Sequence, residues 1–219
     1  MDSASEPESS QSLRRRITDG FEKLALALKT QVWHGASAEG LSATQAQILA
    51  LLAQRGAVSG LRLSEIAEEL AITPATASDA VRALDAKQLV VKGRAEFDAR
   101  ALAVQMTDSG AEVARRIQSL SDFLSVAVDT LSPSERTTLQ LALVKLVLHL
   151  QADGRIPLAR MCANCGYFRA HAHAEPEQPH QCALTDTPIG AVDVRFDCPD
   201  HRRADREAID DNRRVLSGA

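Results

Sequence analysis

The sequence predicts a mainly α chain: a winged helix-turn-helix framed by long helices, with a small Cys-rich module at its C-terminal end. Three observations lead there. Of 219 residues 45% are hydrophobic and only 3% aromatic, which suits helices packed through Ala and Leu and disfavours a β-sandwich. Apolar residues recur at spacings of three and four through most of the stretch from Leu13 to Leu150. All four cysteines fall between positions 162 and 198, where that periodicity has stopped.

No run of 18 apolar residues occurs, and the opening MDSASEPESSQS is polar and acidic. The expectation is therefore no membrane span, no secretory signal and a cytoplasmic, reducing setting, in which metal binding explains clustered thiols better than lasting disulfides do. The net charge of −4 and pI near 5.9 give no global attraction to nucleic acid, so any such contact has to be local.

Residues 1–12 are too poor in apolar side chains to offset ordering entropy and read as a disordered tail. Leu13, Ile17, Phe21, Leu24, Leu28 and Val32 then form the stripe of one helix from Leu13 to Trp33. Thr44 and Gln47 read as a capping box for a short helix carrying Ile48, Leu49, Leu51 and Leu52 and stopped by Gly56. Ser64 is expected to cap SEIAEEL; after a break, Thr73 and Pro74 suit the N-cap and first position of PATASDAVRALDAKQ, with Ala77, Val81 and Leu84 turned inward. Two β-prone runs, Leu89 to Lys92 and Leu102 to Met106, flank a charged centre and read as a hairpin wing. Thr107 caps a helix expected to reach about Thr130, with Val113, Ile117, Leu120, Leu124 and Val128 as its stripe. Ser132, Pro133 and Glu135 open the next helix, which ends at Gly154 and is apolar nearly all round, so a dimer partner is expected to cover it. The domains are thus 1–12 tail, 13–154 winged helix and dimerisation unit, 155–203 Cys-rich metal-binding module and 204–219 charged tail without assigned chemistry. The module looks too poor in apolar residues to hold together without a ligand.

The features TQAQILALL, LSEIAEELAITPATASDAVRALDAKQLV, FDARA and MTDSG occur in an order that resembles the MarR family of winged helix-turn-helix regulators, over about residues 13 to 152. That resemblance implies a homodimer on a double-stranded DNA operator, with the helix Pro74 to Lys87 of each subunit in the major groove. Its exposed face carries Thr73, Thr76, Ser78, Asp79 and Arg82, hydroxyls and a guanidinium suited to phosphate or base edges, although Thr73 also serves as a cap. In the wing, Asp98 and Arg100 match an acidic-x-Arg element whose arginine reaches the minor groove, and Lys92 and Arg94 are further phosphate contacts. The chain departs from the pattern at Asp79, where a basic residue is common, at Gln88 in place of a usual Gly, and at Ala101 in place of a frequent Arg. Between Leu61 and Met106 six basic residues face seven acidic ones, so DNA affinity is expected to be moderate.

Cys162-x2-Cys165-x16-Cys182-x15-Cys198 can surround one centre with four thiolates. The layout CANCGYF, HQC, DCP looks like the small iron–sulfur modules of benzylsuccinate synthase small subunits, and one knuckle with two isolated cysteines favours an iron–sulfur cluster over Zn2+; transient thiols or a disulfide pair remain alternatives. His171, His173, His180 and His201 lie near enough to serve as ligands or simply to be solvated, and Tyr167 and Phe168 would shield the centre. No nucleophile elbow, phosphate loop or metal-hydrolase signature occurs, so no enzyme is expected. The leading expectation is a repressor whose centre senses redox, oxygen or iron state. The alternatives are a regulator with structural zinc and a small-molecule effector pocket, or an interaction or electron-transfer subunit that does not bind DNA.

Overall fold

The computed structural model describes residues 8–55, 60–95, 98–119 and 122–217, and the side chains of these except at 8–10, 94, 95 and 98–102. Helix α1 spans Glu8–Ala38, so residues 8–12 belong to a helix and not to the expected tail. Its stripe stays uncovered within the chain: Leu13, Ile17, Phe21, Leu24 and Trp33 are all exposed. Helix α2 spans Ala43–Gln54 and is capped two residues earlier than expected: Ser42 accepts from the Gln45 N–H, and the Gln45 side chain accepts from the Ser42 N–H. Both Ser42/Gln45 and Thr44/Gln47 fit the pattern. The earlier box prevails because it places Leu41 just ahead of the cap, where Leu41 and Ala46 are both buried as a staple. Gly56 and Leu120 lie outside the described residues.

Strand β1 (Leu61–Arg62) leads directly into α3 (Leu63–Glu69). Ser64 is not the cap; the Glu65 carboxylate takes that role by accepting from the Arg62 N–H at 2.7 Å. A turn with Ala71 at φ +51° joins α3 to α4 (Pro74–Ala86), where Thr73 caps and Pro74 opens the helix as expected. Ala77, Ala80, Val81 and Leu84 are buried. Gln88, at φ +58°, closes α4: its N–H donates to Asp85 O and the Leu89 N–H to Leu84 O. The unusual residue thus occupies a left-handed position that glycine would fill without strain. Strands β2 (Val90–Ala95) and β3 (Asp98–Met106) form the wing, and β1 adds to β3 to give the order β1-β3-β2.

Thr107 accepts from the Gly110 N–H and caps α5 (Asp108–Ser119), while α6 (Asp122–Asp129) lies beyond residues 120–121. The one long helix expected here is therefore two described helices. The α5 guanidinium of Arg116 makes a two-pronged pair with Glu39, at 2.7 and 2.9 Å, tying α5 to the end of α1. One core joins α2, α3, α4, the wing and α5 around Ile48, Leu49, Ile66, Val81, Leu84 and Val90.

Helix α7 (Pro133–Ala152) has the expected Ser132 cap and Glu135 partner. Gly154 at φ +65° ends it, with Gly154 N–H on Gln151 O and Arg155 N–H on Leu150 O. Its apolar surface is divided. Val144 and Leu148 are buried in a second core with Met161, Phe168, Ile189 and Val194, while Leu139, Leu146 and Leu150 remain exposed. The Cys-rich segment folds as a three-stranded antiparallel sheet, β4 (Phe168–Arg169), β5 (His180–Cys182) and β6 (Thr187–Ile189), in that order. Helix α8 (Arg206–Ser217) presses Ile209, Asn212 and Leu216 onto it. The segment is thus not left to a ligand alone: α7 and α8 supply the apolar surface it lacks. No helix among the described residues is long and apolar enough to cross a membrane.

Candidate nucleic-acid interface and four-cysteine centre

The inward face of α4 leaves Thr73, Thr76, Ser78, Asp79 and Arg82 exposed on the opposite side. The Thr73 and Thr76 hydroxyls lie 2.9 Å apart, and Thr73 also accepts the Thr76 N–H, so capping engages part of its capacity. Arg82 is paired with Asp79 across one turn, with both side chains 70% exposed. That pair accounts for the acidic residue: Asp79 holds Arg82 and cancels its charge until something stronger competes. An exposed pair of this kind is worth only about 0.2–1 kcal/mol. Lys87 points away from this face, donating to Gly40 O and Gln45 Oε1.

In the wing, Lys92 is exposed and stands 3.9 Å from Asp85. Arg94 lies in β2, and Asp98 and Arg100 open β3; their side chains, and all of Glu96, lie outside the described residues. The ladder is in register from Val90↔Met106 to Arg94↔Leu102, then shifts to Ala95↔Asp98. Ala101 falls within this shifted stretch.

Cys162, Cys165, Cys182 and Cys198 all line one cavity of about 30 Å³, with Tyr167, Phe168 and Ile189 in its wall. A short 3₁₀ turn at Cys162–Asn164 and a Cys165 N–H to Cys162 O bond bring the first two together; β5 delivers Cys182, and Cys198 is held by its N–H on Arg160 O. Burial pushes the Cys162 thiol above its usual value, and the three other cysteines add to the rise, while the Arg195 N–H donates to its sulfur at 3.4 Å. Burial also disfavours the Cys182 thiolate, but hydrogen bonds from Thr185 and Leu184 and the charge of Arg195 outweigh it, leaving this thiol below its usual value. Among the described residues no group of three or more His, Cys, Asp or Glu side chains is drawn tightly enough together to hold a metal ion as it stands. As a donor set, four thiols on one shielded cavity fit a soft metal.

The histidines divide. His180 is buried, accepts the His171 N–H at Nδ1 and stacks near Phe168; His201 is hydrogen-bonded to Asn164 O; none lines the thiol cavity. Tyr167 and Phe168 do line it, as shields would.

Sequence reasoning missed how this module meets the helix-turn-helix. The chain at 202–204 is bonded to the first cysteine turn, with the Gly166 N–H on Arg202 O and the Ala204 N–H on Asn164 O. From that segment Arg203 reaches Glu68 of α3 at 3.6 Å. Arg55 at the end of α2 pairs with Glu69 and feels the charges of Arg160 and Asp197. No local pattern could have disclosed a contact between residues so far apart in the chain.

Residues 39–101 match the family model described as MarR family, well under half of the chain. Among solved structures, that of Staphylococcus aureus MepR in complex with DNA is 23% identical, covering 59% of this chain and 95% of its own with a TM-score of 0.51, a likeness of fold. MepR bound to ethidium bromide is 24% identical over 61% of this chain and 96% of its own, at 0.46. YusO of Bacillus subtilis is 21% identical over 65% and 98%, at 0.47. Comparison with curated proteins gives no match.

Proposed function

We propose that the chain is a DNA-binding transcriptional regulator, a homodimeric repressor, whose operator affinity is set by a metal centre on Cys162, Cys165, Cys182 and Cys198. The observation that carries the DNA half is the bare polar face of α4 beside a wing, with α4 and the start of the wing in the segment that matches the MarR family. On this reading Thr73, Thr76, Ser78 and Arg82 meet the major groove, and Arg82 leaves Asp79 for a phosphate or a guanine edge. Lys92 and Arg94 add phosphate contacts, and Asp98 steadies Arg100 at the minor groove. Uncovered apolar faces on α1 and α7 support a second subunit, since bare surfaces of this kind mark an interface.

Support for the metal half is the convergence of four thiols on one cavity and the N–H bond to the Cys162 sulfur. An iron–sulfur cluster bound there would supply redox sensitivity. The chain's part is to carry a change at Cys162 and Cys165 through the bonded 202–204 segment to Arg203 and so to α3, in front of the recognition helix. A coupling of about 1–3 kcal/mol is enough for a switch. A second reading, structural zinc with a small-molecule effector bound elsewhere, is favoured by the cavity volume, about the room of one water.

Binding to the DNA upstream of its own gene, at fixed salt, tests the first half: Arg82→Ala and Arg100→Ala should each weaken it by roughly 1–3 kcal/mol. Unchanged binding by both variants would refute the geometry. Protein prepared without oxygen should contain iron and absorb in the visible; zinc in its place selects the second reading. If neither metal is found, and changing all four cysteines to serine leaves DNA affinity unaltered, the metal half is wrong.

A further inference from the structure

The end of α7, the 203–204 segment and the start of α8 enclose a pocket of about 290 Å³, separate from the thiol cavity. Three arginines line it, Arg203, Arg206 and Arg213, against one carboxylate, Asp210. Their partners are unequal. Arg213 donates to Asp210 at 3.1 Å through one terminal nitrogen, yet its Nε is buried with no hydrogen-bond partner. Among the described residues the only ion pair of Arg203 is its 3.6 Å contact to Glu68, and both side chains of that pair are largely exposed. Arg206 has no ion-pair partner among the described residues. It stands at the first position of α8, whose N-terminal N–H groups favour negative charge, although Asp205 already accepts one of them, the Ala208 N–H.

A concave site with surplus guanidinium charge is suited to admit oxygen atoms. Guanidinium groups bind the planar edge of a carboxylate or two phosphate oxygens in a fork, with directionality a lysine lacks. The volume suits a small molecule, and the acidic Asp210 in the lining disfavours an extended polyanion.

We propose that this pocket is a binding site for a small oxyanion, a carboxylate or phosphate group, held by Arg203, Arg206 and Arg213. Binding draws Arg203 inward from Glu68, so the ligand acts on the same link to α3 that the cysteine turn holds. The site itself does not depend on the DNA-binding reading; only that consequence does.

The test is calorimetric titration of the full chain, at low ionic strength, with inorganic phosphate in one arm and succinate in the other. The expected result is saturable binding of at least one of them, one per chain, weakened at least tenfold by Arg206→Gln and by Arg203→Gln. Arg203 is exposed and Arg206 unpaired, so neither change threatens the fold, and unaltered circular dichroism checks this. The arm that binds identifies the phosphate or the carboxylate as the preferred group. No saturable heat from either anion at 10 mM, or binding that both variants leave unchanged, would overturn the proposal. Because the readout needs no DNA, a failure here and a failure of the operator experiment are distinguishable.

Discussion

Gly110, in the first turn of α5, should not tolerate even a methyl group. A Cβ there would stand 2.0 Å from Leu89 O, 2.9 Å from the Leu89 carbonyl carbon and 2.9 Å from Met106 Cγ. Two of these are backbone atoms at the root of the wing, and comfortable non-bonded separations begin near about 3.5 Å, so Leu89 would have to retreat by roughly 1 Å or more. The retreat pulls its carbonyl from the Thr107 N–H that it accepts at 3.1 Å. Stranding that bond costs about 1–3 kcal/mol and the overpacking about as much again. The better helix propensity of alanine returns about 1 kcal/mol. Gly110→Ala should therefore destabilise the chain by about 1–5 kcal/mol. The residue before Leu89 supplies the opposite perturbation. Gln88 is exposed at φ +58°, so Gln88→Gly relieves about 1–2 kcal/mol of left-handed strain and loses part of that to the greater freedom of glycine in the unfolded chain, for a net gain of about 0.5–1 kcal/mol. Urea unfolding followed by circular dichroism should show the midpoint falling for the first variant and rising for the second. Midpoints that move in the same direction would refute the argument from this junction.

Ala71, at φ +51° in the turn between α3 and α4, should likewise gain about 0.5–1 kcal/mol as glycine, measured by the same unfolding curves. Asp79→Asn should release Arg82 and remove a carboxylate from the face proposed for DNA, tightening operator binding by roughly 1 kcal/mol in a salt-matched gel shift; weaker binding would count against the role given to Arg82. The hydrogen-bonded Arg116 fork holds the Glu39 carboxyl below its ordinary 4.5. The stability that this pair contributes is therefore complete above pH 4.5 and is lost as pH falls from there through the lowered folded-state value. Glu39→Gln should flatten this part of the acid unfolding profile, and an unchanged profile would show that the pair contributes nothing.

Local signals carried the winged-helix half well. Thr73, Pro74, Ser132 and Glu135 mark their helix starts because capping is satisfied within four residues, and the inward set Ala77, Val81 and Leu84 follows from helical spacing alone. Ambiguity entered where two local solutions compete, as at Ser42 and Thr44, or where a strand has only two residues and is defined by its partner, as Leu61–Arg62 is by Val104 and Ala103. At the candidate sites the convergence of the cysteines was legible from their exclusive spacing. The pairing of Asp79 with Arg82 is open to an i, i+3 reading of the helix surface. The pocket around Arg206 was not legible, because 204–219 reads as a charge-balanced tail until α7 is placed against it.

The burial of one face of α7 in the second core decides where this protein can be cut. A gene ended at Gly154, the natural place by helix punctuation, would strip the cover from Val144 and Leu148 and yield an aggregating fragment. Ending it near Leu131, before the Ser132 cap, leaves the first core whole. The complementary piece, 132–217, carries its own cap, its own core and all four thiols, and is the cassette to transplant onto another protein.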